Sequence, residues 1–207
     1  MNTEQVRSKI LAGSLVTLKT RGARFTMDEL ARYLSMSKKT IYRIFPDKES
    51  ILADLVDDVF DRVAREQEMI LCDRNLSTLG KLEGIFCVLP AEARGINFAD
   101  LFCYRGKYPK PYERIEARIE SNWEPTFRLI HEGINEGSIR PVNPHVIKII
   151  YESAIESLLY GRNLAEIDLD YNEALEEMAA VIIHGIRNEE RQAGGGNGGS
   201  FQKDLRQ

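Results

Sequence analysis

Residues 26–48, TMDELARYLSMSKKTIYRIFPDK, decide the fold, because they spell out two short helices and the tight turn between them. Thr26 is followed three residues on by Glu29. At that spacing a hydroxyl accepts from an early helix N–H while the carboxylate accepts from the capping residue's own amide, so a helix starts at about residue 26. Leu30, Ala31 and Leu34 give it one apolar side, and Ala31 is small enough for a following helix to cross closely. Ser35-Met36-Ser37 interrupts the pattern, and Ser37 is placed to cap a second helix carrying Lys38, Lys39, Thr40, Ile41, Tyr42, Arg43 and Ile44. Phe45 ends that helix, since the residue before Pro46 is pushed away from helical geometry. Ile41 and Phe45, four apart, face inward, which leaves Lys38, Lys39, Thr40, Tyr42 and Arg43 outside. A basic, hydroxyl-rich outer face suits the phosphates and base edges of double-stranded DNA, and the whole unit reads as a helix-turn-helix.

Working outward, Val6, Ile10, Leu11 and Leu15 recur at helical spacing and predict a supporting helix over 4–20, ending near Gly22. From Asp47 a second run, Ile51, Leu52, Leu55, Val56, Val59, Phe60 and Val63, continues to about Leu71 without Gly or Pro. It predicts a stiff helix about 35 Å long, at about 1.5 Å per residue, tying head to body.

Residues 8–60, and above all Ile41-Tyr42-Arg43-Ile44-Phe45-Pro46-Asp47-Lys48-Glu49-Ser50-Ile51-Leu52, resemble the DNA-binding end of tetracycline-repressor-type (TetR-type) regulators. The resemblance implies an all-α fold, with a three-helix DNA-binding domain followed by a larger helical ligand-binding and dimerisation domain. It also implies that Thr26, Ser37, Lys39, Tyr42 and Lys48 lie at DNA-facing positions, Lys48 contacting the phosphate backbone as it opens the fourth helix. One position departs from the family, which usually has Gly in the turn where this chain has Ser35. Ser in a left-handed conformation costs on the order of 1 kcal/mol.

Charge is distributed accordingly. The 207 residues carry a formal net charge of −4, yet residues 1–48 hold ten Lys/Arg against four Asp/Glu, and the remainder 18 against 28. A basic head on an acidic body is expected when only the head approaches a polyanion; a solvated surface with chance clustering is the plainer alternative. Three cysteines, Cys72, Cys87 and Cys103, suggest a reduced compartment, and with no apolar leader and no bilayer-length stretch the expected location is cytoplasmic, off the membrane. The expected divisions are 1–48 for the head, 49–192 for the body and 193–207 for a flexible Gly-rich tail.

The body reads as helices near 75–88, 95–105, 112–136, 144–164 and 171–188, with Pro125 expected to kink the third of them. Glu136-Gly137-Ser138-Ile139-Arg140-Pro141 resembles the TetR-type connection before the last two helices. On those two, Ile150, Ala154, Ser157 and Gly161, with Met178, Ile182 and Ile186, line single faces. Pattern alone leaves these as either monomer core or subunit seam, and the resemblance implies a homodimer. Phe102, Tyr104, Trp123, Phe127 and His131 are candidates for lining a ligand pocket, against the plainer reading of an aromatic core.

No catalytic constellation, metal-ligand spacing or phosphate loop is present in the sequence, so neither an enzyme nor a cofactor is expected. The expectation is a homodimeric, sequence-specific transcriptional regulator, read as a repressor. It would bind a pseudo-palindromic operator and be released by a small-molecule effector. Lys39 and Thr40 are the base-edge candidates, with Tyr42, Lys48 and Thr26 on phosphates. The alternatives are a helical ligand-binding or protein-interaction module with a degenerate head, and an enzyme using the aromatic pocket.

Overall fold

The computed structural model describes residues 2–96, 103–160, 164 and 169–189. Phe102, Gly161, the Gly-rich tail and most of the helix expected over 95–105 lie outside the described residues. Among the described residues the architecture is helical, with one isolated antiparallel bridge, Ile139 to Arg187.

Local signals start the helices of the head. Helix α1 (Thr3–Arg21) opens on Asn2 with a reciprocal capping box to Gln5, and its end is capped by Gly22. A 3-10 turn (Gly22–Arg24) leads to α2 (Met27–Leu34), which opens on the expected Thr26–Glu29 box. Helix α3 (Lys38–Ile44) is capped by Ser37, and α4 (Lys48–Cys72) by Asp47, whose carboxylate accepts from the Ser50 N–H at 2.7 Å. Ile10, Leu30, Ile41, Phe45 and Ile51 are completely buried where these four helices converge. Gly13 permits the close crossing of α1 and α2, because a Cβ there would fall 2.4 Å from Leu34 Cδ2.

The body follows as α5 (Thr78–Cys87), α6 (Pro109–Glu120), α7 (Glu124–Glu136), α8 (Pro144–Tyr160) and α9 (Tyr171–Ile186). Helix α6 packs along α4, while α5 is held between α7 and α9. The sequence expectation of one helix over 112–136 is corrected here. The chain breaks at Ser121-Asn122-Trp123, with Asn122 in the left-handed region at φ 61°, and Pro125 falls in the first turn of α7. Pro has no N–H to offer, and the first turn of a helix needs none from it, so Pro125 begins a helix where a kink was expected.

Candidate nucleic-acid interface and body cavity

The turn between α2 and α3 is built around Ser35. Its backbone is left-handed at φ 52°, ψ 42°; its N–H donates to the Arg32 carbonyl at 3.1 Å, and the Met36 N–H donates to the Ala31 carbonyl at 2.9 Å. This is the hydrogen-bond pattern a glycine terminator would make, achieved with a serine. Glu29 is held below the usual carboxylate range because it accepts from the Thr26 backbone and hydroxyl.

Helix α3 presents the outer set expected of it, with differences in how free each side chain is. Lys38 is ion-paired to Asp28 of α2 at 2.7 Å, which raises its pKa and fixes α3 against α2. Thr40 is half-buried, its hydroxyl 2.9 Å from that of Ser37. Lys39, Tyr42 and Arg43 are exposed, as are Thr26 and Ser37 at the helix starts.

Lys48 differs from the expectation of an outward phosphate contact. Its ammonium is half-buried and donates to the carbonyls of Ala23 and Phe25, over the Phe25 ring at 4.0 Å and the Tyr108 ring at 5.3 Å. Burial, followed by the nearby Lys107 charge, pushes its pKa down to about 8. The reason is geometric: the chain leaving α1 ends its 3-10 turn with carbonyls aimed at the start of α4, and the lysine there satisfies them. Lys48 thus joins the α1–α2 junction to α4.

Head and body are also joined by alternating charges. Arg7 of α1 meets Asp54 of α4 at 2.7 Å, and the same carboxylate takes Arg114 of α6 at 2.9 Å. Arg114 also pairs with Asp57, Asp57 with Arg118 at 3.3 Å, and Arg118 with Asp61 at 2.7 Å. Three acids spaced along α4 interleave with two arginines one turn apart on α6. No pattern within either helix alone reveals this, because the partners lie about sixty residues apart in sequence.

Arg118 stands at the wall of a cavity of about 550 Å³ in the body. Leu55, Val59, Phe60, Phe86, Ile119 and Leu159 make much of the lining, and Leu18 of α1 reaches it from the head. Of the sequence candidates with described side chains, Trp123 lines the cavity. Tyr104, Phe127 and His131 do not, which corrects the aromatic-stripe reading. Tyr104 stacks on Tyr108 before α6; Phe127 turns to the His145 ring at 4.8 Å; His131 is exposed, its Nδ1 2.7 Å from the Phe127 carbonyl oxygen. Trp123, Phe127 and His131 were expected on one continuous helix over 112–136, and the break at Ser121-Asn122-Trp123 separates Phe127 and His131 from that register.

The candidate seam is corrected in the same way. Ile182 and Ile186 are buried at 8% and 2% exposure, and Met178 packs against the core, so the apolar face of α9 closes the monomer. The exposed apolar residues are Val146, Ile149 and Ile150 on α8, with Val181 at 70% exposure on α9. Ser153 and Ser157 continue the α8 stripe, beside half-buried Ala154.

Among the described residues no group of His, Cys, Asp and Glu side chains could hold a metal ion, and no helix is long and apolar enough to cross a membrane.

Comparison with known proteins gives this geometry its context. Residues 10–55 match the model of bacterial regulatory proteins of the tetR family. The chain is 24% identical over 182 residues to the uncharacterized HTH-type transcriptional regulator YvaF of Bacillus subtilis (strain 168), covering 88% of this chain and 96% of that protein. The fold is similar to a TetR transcriptional regulator from Chloroflexus aurantiacus J-10-fl (TM-score 0.66, 20% identity, 90% of this chain and 98% of that one). It is also similar to a TetR transcription regulator from Haloarcula marismortui ATCC 43049 (TM-score 0.66, 18% identity, 89% and 99%). Regulators of this kind bind DNA and are not enzymes. Residues 10–55 are thus a DNA-binding domain of the tetR-family type, carried on a helical body whose fold is that of TetR transcriptional regulators.

Proposed function

We propose that the protein is a cytoplasmic repressor that binds a pseudo-palindromic operator as a homodimer and is released by a small molecule held in the body cavity. The observation that carries the reading is the free outer face of α3, where Lys39, Tyr42 and Arg43 project from a helix fixed at both ends. Lys39 is placed to read base edges, with Thr40 beside it. Tyr42, Arg43, Ser37 and Thr26 hold phosphates, and Lys38 adds charge from its pair with Asp28. Lys48 serves as a strut behind this face.

The exposed stripe of α8 and α9 supports self-association, since contiguous apolar surface of this kind marks an interface. Two-fold pairing there would set two heads on two half-sites. Residues of α4 contribute to the cavity wall, and Arg118 on that wall is the last arginine of the charge series that reaches Arg7. Occupancy of the cavity therefore bears on head position through α4.

Selection of bound sequences from a random duplex pool tests the reading. An enriched inverted repeat is expected, and Lys39→Ala is expected to change the preferred bases while Tyr42→Phe weakens all sequences alike. No enrichment would favour a ligand-binding module whose head does not read DNA.

A further inference from the structure

We infer that the cavity takes a single-chain amphiphile, its hydrocarbon tail lying along α4 toward Leu18 and its polar head at the end lined by Glu68, Asn122 and Arg128. This rests on the reading of the cavity as the effector site and specifies what that site accepts. The shape comes from α4, which lines the cavity with one face from Leu52 to Leu71, in steps of three and four residues through Leu55, Val59, Val63 and Gln67. At about 1.5 Å per residue that face is about 28 Å long. Spread over such a length, about 550 Å³ makes a narrow channel and not a round chamber.

The channel is graded from end to end. Arg114 meets Asp54 and Asp57 while Arg118 meets Asp57 and Asp61, so α6 runs the same way as α4 and delivers Ser121 and Asn122 to the C-terminal half of α4, where Gln67 and Glu68 lie. Helix α7, which carries Arg128, packs on α5, and α5 is tied to the same end by Gln67 on the Ile85 carbonyl and Lys81 on the Leu71 carbonyl. Glu68, Ser121, Asn122 and Arg128 are exposed, which makes this end the mouth. Among the described residues Glu68 and Arg128 have no ion-pair partner and Asn122 no side-chain partner, so both signs of charge and an amide are free to meet a head group. At the other end Leu18, Leu52, Leu55, Ile115, Leu159 and Leu175 are buried hydrocarbon, and Tyr171, the polar group packed with them, is already engaged. A tail gains from every methylene buried there, while the head keeps its hydration at the mouth.

Trp123 is the chain's one tryptophan and lines the cavity, so its fluorescence reports occupancy in the unmodified protein. Titrations with octanoate, undecanoate, tetradecanoate and 1-adamantanecarboxylate, each below its micelle-forming concentration, are the test. Affinity should rise about two- to fourfold per added methylene. Undecanoate should bind at least about tenfold more tightly than adamantanecarboxylate, a cage of the same carbon count that overpacks a narrow channel. Val56→Phe, which fills the head end, should weaken tetradecanoate at least about tenfold and leave octanoate within about twofold. Arg128→Glu should weaken undecanoate about two- to fivefold and leave 1-undecanol within about twofold. Adamantanecarboxylate matching undecanoate, or no saturation by any of the alkyl chains, would overturn the ligand class. Arg128→Glu leaving undecanoate unchanged would overturn the orientation. Release of the selected operator duplex is read in parallel: undecanoate that saturates the protein and leaves the DNA bound removes the effector reading while the ligand class stands.

Discussion

Arg7 in the first helix of the head and Asp54 in the long helix of the body's frame meet at 2.7 Å, and Arg114 reaches the same carboxylate from the opposite side. One acid thus holds an arginine from each domain. Asp54→Asn keeps the shape and removes the charge both arginines share. It should lower stability by about 1–2 kcal/mol, since the pairs form a partly exposed network rather than an isolated surface contact. The deficit, read from urea unfolding, should shrink in about 1 M salt, where exposed charges are screened. A deficit indifferent to salt would assign the effect to packing.

Ser35 occupies the left-handed terminator of α2 at φ 52°. Ser35→Gly should raise stability by about 0.5–1 kcal/mol, the relief of the side-chain clash less the extra freedom glycine has when unfolded. Ser35→Val should lower it, because a β-branched side chain tolerates this region worst. Denaturant midpoints of the two variants give the comparison, and equal midpoints would mean that Ser35 stores no strain.

Lys48 supplies a pH dependence. Burial and the neighbouring Lys107 bring its pKa down to about 8, whereas in an unfolded chain it stays protonated to about pH 10.4. Between these values unfolding takes up a proton, so the cost of a charged Lys48 is full below pH 8 and fades as pH rises. Wild type should therefore gain stability relative to Lys48→Met between about pH 8 and 10. A constant difference across that window would place the Lys48 pKa near its ordinary value.

The outer face of α8 and the inner face of α9 should respond differently to substitution. Ile149 is 61% exposed, and Ile149→Arg should yield a monomer with unchanged helical content by sedimentation and circular dichroism. Ile182→Ala, in the closed core, should cost about 2–5 kcal/mol in stability. Dissociation caused by Ile182→Ala without loss of stability would reverse the assignment.

The contrast between α8 and α9 also shows which parts of the molecule were legible in the sequence. The head was readable because its boundaries are local: Thr26 with Glu29, Ser37, and Pro46 after Phe45 each act within four residues. The body was less so, since an apolar stripe states that a face is covered and not by what. Ile182 and Ile186 look the same whether they meet Phe86's neighbours or a second subunit. Asn122 turned left-handed and moved Phe127 and His131 off the chamber, and a Pro three residues later fits a kink and a helix start equally well. Lys48 was assigned outward by resemblance, whereas the carbonyls that hold it, Ala23 and Phe25, lie more than twenty residues earlier.

At Leu18 one side chain serves both the head's core and the cavity wall. Whatever fills the chamber at that end becomes a packing neighbour of the head's interior, and by mass action it stabilises the fold that holds it. Occupancy and the thermal resistance of the reading head are then two measures of one equilibrium. Part of the message from cavity to DNA would travel as cohesion within the head, alongside any turning of α4.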